Sequence, residues 1–175
     1  DRVDIVGMGR AFIADPEVLR KAREGREADI RTCVACNQGC FDHVFMLQPV
    51  SCTVNPRANR ERETELVPAP DPKLVLVAGG GPAGMEAAWV AAARGHRVIL
   101  CERSSRLGGQ GNLASVPPGR EEWAEMVRYL EREVENNRVE VRLDTEVTPV
   151  LIEEISPDVL VTATGARQLE PPIEG

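Results

Sequence analysis

Residues 74–102 constrain this chain more than any other stretch. An uninterrupted apolar run, Leu74–Ala78, leads into Gly79-x-Gly81-x-x-Gly84. An Ala-rich segment from Pro82 to Arg94 follows and ends at Gly95, and a second apolar run, Arg97–Cys101, closes on Glu102. Strand, tight turn, helix, strand and acid in that order make a βαβ unit with parallel strands. Gly79 permits the turn out of the strand, Gly81 lets a pyrophosphate reach the backbone, and Gly84 lets the helix pack close. The pyrophosphate is expected on the N-terminus of the 82–94 helix, where free amides and the helix dipole favour negative charge. Glu102 is placed to accept hydrogen bonds from ribose hydroxyls and to repel a 2′-phosphate, with Arg103 beside it as a further cofactor contact. This much fits NAD and FAD alike. Pro82-Ala83 in the turn, Leu107-Gly108-Gly109-Gln110 after the acid, and Gly165 after Thr162-Ala163-Thr164 favour FAD.

Cys33, Cys36, Cys40 and Cys52 precede this unit with the spacing C-x2-C-x3-C-x11-C. Residues 30–60 show neither helical nor strand period, so such a stretch needs an outside tie, which a bound metal provides. Three thiolates on a tight loop and a fourth from a returning segment suit a [4Fe–4S] cubane. Tetrahedral zinc is the alternative, although structural zinc usually arrives as two separated CxxC knuckles. The fifth cysteine, Cys101, reads as a small apolar residue completing a buried strand, and His43 as an exposed loop residue. Glu65 to Pro72, with prolines at alternate positions, reads as a stiff extended linker and a domain boundary.

Around this centre the chain reads as α/β. Val3–Val6 is an expected strand, running into a Gly7-Met8-Gly9-Arg10 loop. Asp15-Pro16 opens a short helix over Glu17–Arg26 that ends near Gly25. Beyond the linker, a helix over Gly119–Glu135 carries Trp123, Met126, Val127, Leu130 and Val134 on one face. Val139–Leu143 and Val159–Thr164 are further strands of a parallel sheet. A strand at a chain end needs neighbours, and with Pro171-Pro172 at the other end the 175 residues read as a piece of a longer enzyme.

The net charge of −7, with acids dispersed among bases, disfavours nucleic acid or an anionic membrane as partner. No apolar run approaches a membrane span, and none reads as a signal peptide. An odd number of cysteines, five, clustered at ligand spacings points to a reducing cytoplasm rather than a secreted disulfide framework.

The motifs resemble the flavin- and iron–sulfur-containing branch of the Old Yellow Enzyme group, the family of 2,4-dienoyl-CoA reductase and trimethylamine dehydrogenase. The carriers are Gly9-Arg10 with Ala14-Asp15-Pro16, the run CVACNQGC with Cys52 and Val54-Asn55-Pro56-Arg57, the GGGPAG turn, and LGGQGNLA with Pro118-Gly119-Arg120-Glu121-Glu122. The resemblance implies three parts. Residues 1–29 would be the last strand and helix of an FMN-binding TIM barrel, residues 30–66 an iron–sulfur segment with linker, and residues 67–175 part of a Rossmann-like FAD domain. Gly9 and Arg10 would hold the FMN phosphate, in keeping with phosphate sites after the final barrel strands. Glu102 would bind the adenosine ribose, Gly109 and Gln110 would lie near the flavin side of the pyrophosphate, and backbone around Val147 near adenine. The cofactors implied are a 4Fe–4S cluster, FMN, and FAD or ADP. The activity implied is electron passage between NAD(P)H, FAD, the cluster and FMN, most like 2,4-dienoyl-CoA reductase. The nicotinamide, the small-molecule substrate and any electron-transfer protein would engage parts outside these residues, so no catalytic acid or base is sought among them. An amine dehydrogenase, a glutamate-synthase-small-subunit-like reductase and a zinc-stabilised nucleotide-binding module are the alternatives. The second of these needs more cysteines and lacks the Gly9-Arg10 loop.

Overall fold

The computed structural model describes residues 3–166 and 172–173. Strands β1 (Leu74–Ala78), β2 (Arg97–Cys101), β3 (Glu140–Arg142) and β4 (Val159–Thr162) form one parallel sheet in the order β3-β2-β1-β4. Leu76 pairs with Ile99 on one side and with Leu160 on the other, so β1 is central. Its apolar residues alternate between two covered faces, which is why the run is continuous rather than amphipathic. Val75, Val77, Val98 and Leu100 face helices α4 (Pro82–Ala93) and α6 (Trp123–Asn136), where Met85, Trp89, Met126, Val127, Leu130 and Val134 close the larger core. Leu76, Ile99 and Cys101 face the other way, against Val147 and the apolar side of helix α7 (Pro149–Ile155). Cys101 is 1% exposed, a core residue as its place in the apolar run implies.

The N-terminal third is built from short pieces: α1 (Arg10–Ala14), α2 (Val18–Arg23), a 3₁₀ turn (Glu27–Asp29) and α3 (Phe41–Phe45). Val3–Val6, expected as a strand, is not one. No strand lies beside it among the described residues, and Val3, Ile5 and Val6 are 74%, 89% and 67% exposed. An unpaired extended segment has no ladder to satisfy its amides and no face to bury. Residues 1 and 2 of the expected 1–29 portion, and residues 167–171, 174 and 175 of the expected FAD unit, lie outside the described residues. The Asp15-Pro16 helix is present but starts later. Asp15 Oδ1 accepts the Glu17 amide at 3.0 Å, Pro16 sits in the turn, and Gly25 at φ +69° follows the helix end.

The proline-rich linker lies against α4. Ala69 N donates to the Arg94 carbonyl at 2.8 Å, and Arg94 Nε donates to the Val67 carbonyl at 3.1 Å. The core runs across this boundary: Ala14, Val34 and Val54 belong to the same buried cluster as Val77 and Leu130. The cysteine segment is therefore packed on the sheet's helical layer rather than tethered to it. Among the described residues no helix is long and apolar enough to cross a membrane.

Candidate functional site: a nucleotide cleft beside a cysteine cavity

At the C-terminal ends of β1, β2 and β4 the chain leaves a cleft of about 680 Å³. Crevices at this end of parallel strands are where such sheets bind ligands. Gly79 turns out of β1 at φ +108°, with a hypothetical side chain blocked by the Ala163 carbonyl. A side chain at Gly84 would strike the Gly79 carbonyl oxygen, which fixes how closely α4 seats on the turn. Gly81 has nothing within 4 Å of its missing side chain, so its backbone faces open cleft at the start of α4. Pro82 and Ala83 line the cleft from the first turn of that helix.

Across from them, Gly108 N donates to the Gly80 carbonyl at 2.8 Å, drawing the 107–110 loop over the turn. Gly109 and Gln110 then line the cleft, with Gln110 Nε2 donating to the Ala166 carbonyl at 2.9 Å. Glu102, Arg103, Val147 and Gly165 line it as well. Gly84 alone among the sequence-assigned residues of this unit lies beneath it rather than in its wall. Ser104, Arg106, Asn112, Leu113, Thr145, Glu146 and Thr164 are wall residues that the motif does not specify.

Glu102 is 7% exposed, and its carboxylate is held by backbone. Oε2 accepts the Gly80 amide at 2.7 Å and Oε1 the Ser104 amide at 2.8 Å. Burial pushes this carboxyl up, but the Ser104 and Gly80 amides outweigh it and hold the group below its ordinary value. Glu102 thus braces the turn as a carboxylate, and each oxygen keeps a lone pair for a further donor such as a ribose hydroxyl.

Cys33, Cys36, Cys40 and Cys52 all line a second, smaller cavity, together with Arg10, Ile13, Val34, Asn37, Gly39, Thr53 and Val54. The quartet meets because of Gly39. A side chain there would come within 2.9 Å of the Ser51 backbone, and Ser51 N donates to the Gly39 carbonyl at 2.7 Å. The returning segment passes at that contact and brings Cys52 back to the loop. Ala35 and Asn37, inside the loop, sit at φ +52° and +59°. For alanine that region costs about 1–2 kcal/mol, so the loop holds a shape its local preferences do not choose.

All four thiols are free and partly exposed. Burial pushes the Cys52 thiol up, opposed by the amides of Val54 and Asn55 that lie against its sulfur, while Cys33 and Cys36 push it up further. Thiols close enough to resist one another's ionisation form a donor set that a cation would satisfy. Among the described residues no three His, Cys, Asp or Glu side chains close around a single ion. The four sulfurs border one small cavity, a donor set that iron–sulfur and zinc centres both use. His43 takes no part: its Nδ1 lies 2.8 Å from the Pro49 carbonyl. Arg10 is exposed, donates from Nη1 to Asn37 Oδ1 at 2.7 Å, and borders the cysteine cavity, while Gly9 just before it is exposed as well.

A family model described as FAD dependent oxidoreductase matches residues 75–163. The chain is 46% identical over 176 residues to the NADH oxidase of Thermoanaerobacter brockii, an alignment spanning 99% of this chain and 27% of that protein. It superposes on a 2-naphthoyl-CoA reductase bound to 2-naphthoyl-CoA with a TM-score of 0.95 at 44% identity, over 99% of this chain and 26% of that one. Histamine dehydrogenase from Rhizobium sp. 4-9 matches with a TM-score of 0.90 at 30% identity, over 98% and 26% of the two chains. The chain spans about a quarter of the length of these relatives.

Proposed function

The chain belongs to the FAD-dependent oxidoreductases, and from that premise we propose that it is the electron-relay portion of a multicentre flavoenzyme. The Gly79–Gly84 cleft takes the ADP half of FAD, with ADP alone as the other occupant of the same contacts. Cys33, Cys36, Cys40 and Cys52 take a [4Fe–4S] cluster. When bound, FAD exchanges electron pairs with a nicotinamide, the cluster carries single electrons, and FMN works on the substrate. The observation that carries this reading is adjacency. Four thiols line one cavity, and three of them, Cys33, Cys36 and Cys52, pack against the same core as the sheet that carries the Gly79–Gly84 cleft.

The residues of this chain bind and orient. The α4 amides and the open Gly81 backbone receive the pyrophosphate, and Glu102 receives ribose hydroxyls while its charge disfavours a 2′-phosphate. Gln110, bonded to the Ala166 carbonyl, holds the 107–110 and 163–166 loops around the flavin side of the cleft. Gly9 and Arg10 receive the FMN phosphate: one arm of the Arg10 fork is taken by Asn37 and the rest is free for phosphate oxygens. Val3–Val6, apolar and exposed, supplies the last strand of an FMN-binding barrel formed by preceding sequence.

For the whole enzyme, reduction of an activated alkene of the dienoyl-CoA type is the reading supported by the 44% identity to 2-naphthoyl-CoA reductase. Oxidation of an amine is the second reading, supported by the likeness to histamine dehydrogenase. The nicotinamide, the substrate and any electron-transfer partner bind outside these residues, and the setting is the reducing cytoplasm that free thiols call for. The test is an anaerobic titration of the full-length enzyme with NADH. Flavin bleaching should be accompanied by the paramagnetic signal of a reduced cluster. A Cys52→Ser variant should keep FAD reduction yet lose electron delivery to FMN; FMN reduction at the normal rate in that variant contradicts the relay.

A further inference from the structure

Asn112 lines the nucleotide cleft, yet the glycine motif does not require it. It sits in helix α5 (Gln110–Ala114), directly after the loop that crosses the Gly79–Gly84 turn. Its Nδ2 donates to the Leu107 carbonyl at 2.7 Å, and its own amide donates to the Gly109 carbonyl at 3.3 Å. The side chain lies flat on Gly108, at φ +104°, where an added Cβ would come within 2.6 Å of the Asn112 carboxamide. The loop is held in turn against the start of α4. Gly108 N reaches the Gly80 carbonyl, the Leu107 side chain covers Gly80, and a Cβ on Gly109 would stand 3.2 Å from Gly81 Cα. Gly108 and Gly109 both have positive φ, so ordering them costs more backbone entropy than it would at other residues. Among the described residues, Asn112 supplies the side-chain hydrogen bond that the backbone of Leu107–Gly109 receives.

The sheet order says which part of a ligand meets this loop. Glu102 follows β2, the Gly79–Gly84 turn follows β1, and Ala166 follows β4, and these strands stand side by side in the order β2-β1-β4. A nucleotide with its ribose at Glu102 therefore runs across the turn towards Ala166. The loop is joined to Gly80 and, through Gln110, to Ala166, so it covers the far half of that path. We infer that Asn112 is a positioning residue: by fastening Leu107–Gly109 across the Gly80–Gly81 turn, it makes the cleft select a nucleoside diphosphate over a monophosphate. The inference rests on the nucleotide reading of the cleft above, and FAD and ADP share the chemistry it concerns. A monophosphate ends at the α4 amides and gains little from the loop. A second phosphate needs that wall in place, and a glycine pair left free must be ordered on binding, which lowers affinity.

The experiment measures binding of FAD, ADP and AMP by calorimetry to full-length enzyme freed of its FAD, beside urea unfolding of each variant. Asn112→Ala should bind ADP and FAD about tenfold more weakly, which is about 1.4 kcal/mol, with AMP affinity within about twofold of wild type. Unchanged affinity for ADP or FAD overturns the inference, and so does an equal loss for AMP, which marks a cleft loosened as a whole. If Asn112→Ala unfolds, Asn112→Leu decides by the same ratio, because leucine keeps the side chain's size without the donor. Failure of both to fold shows a merely structural residue and overturns the role. Ser115→Ala removes a hydroxyl that donates to the Asn112 carbonyl at 2.9 Å from outside the cleft wall, and should leave the ADP-to-AMP ratio in place. A shift there equal to that of Asn112→Ala also overturns the role. Wild-type enzyme that binds neither FAD nor ADP would instead sink the nucleotide reading, a separate outcome.

Discussion

Gly81 and Gly84 stand in one turn, yet a methyl group means opposite things at the two. At Gly84 it collides with the Gly79 carbonyl oxygen, and α4 must lift off the sheet. Gly84→Ala should cost about 1–3 kcal/mol of stability, the usual range for overpacking, read in urea unfolding. At Gly81 the φ of −73° suits alanine and the space is open. Gly81→Ala should unfold like wild type but lose at least tenfold in affinity for FAD or ADP by calorimetry. Equal effects of the two on stability would contradict these roles. Glu102 acts in both columns. Its carboxyl is held below the ordinary value, so its contribution is present above the unfolded value of about 4.3 and is lost as pH falls through the lower folded one. Glu102→Gln sets an amide NH₂ against either the Gly80 or the Ser104 amide. It should cost about 1–3 kcal/mol at pH 7, and the gap from wild type should narrow in acid, below about pH 4. A gap that is constant from pH 7 to 3 would show that the charge is immaterial.

Elements with a long apolar period are where sequence and structure agree. β1 and β2 have the limits their apolar runs imply, and α4 follows the glycine turn as expected. The helix expected from Gly119 begins at Trp123, because Gly119 is left-handed at φ +78° and its amide is taken by the Glu121 side chain at 3.1 Å. Helix α5 (Gln110–Ala114) is not foreseeable from propensity: five residues including Gly111 form a helix only because that glycine seats against Val127 and Pro82. Helix α7 did carry a signal, Thr148-Pro149, an N-cap and a first-turn proline, and Thr148 Oγ1 accepts the Leu151 amide at 3.2 Å. The cysteine quartet was readable from its spacing, but the glycine that lets it close was not. Nor was the partnership of Arg31 with Tyr129, because side chains 98 positions apart leave no local pattern. That contact fastens α6 to the cysteine segment. Burial pushes the Tyr129 phenol well above its ordinary value, so it stays a neutral hydroxyl that accepts from Arg31. Tyr129→Phe strands a buried guanidinium donor and should cost about 1–3 kcal/mol, seen as a lower urea midpoint with unchanged slope. No loss would mean that the arginine finds another acceptor.

At the scale of the molecule, one core joins the cysteine segment to the nucleotide-binding sheet across a proline-rich linker that alone would suggest independence. That continuity holds the cysteine cavity and the cleft in a fixed relation, which the proposed electron relay requires. On the proposed reading the exposed Val3–Val6 pairs with sequence outside these residues, and the relatives are about four times as long as this chain. In the proposed arrangement the four cysteine sulfurs hold an iron cubane in the same folded unit as a nucleotide cleft. Elemental and acid-labile sulfide analysis of full-length enzyme purified without oxygen tests it most directly. Four irons and four sulfides per chain, lost together in Cys33→Ser, are the predicted result. One zinc per chain with neither iron nor sulfide would contradict it.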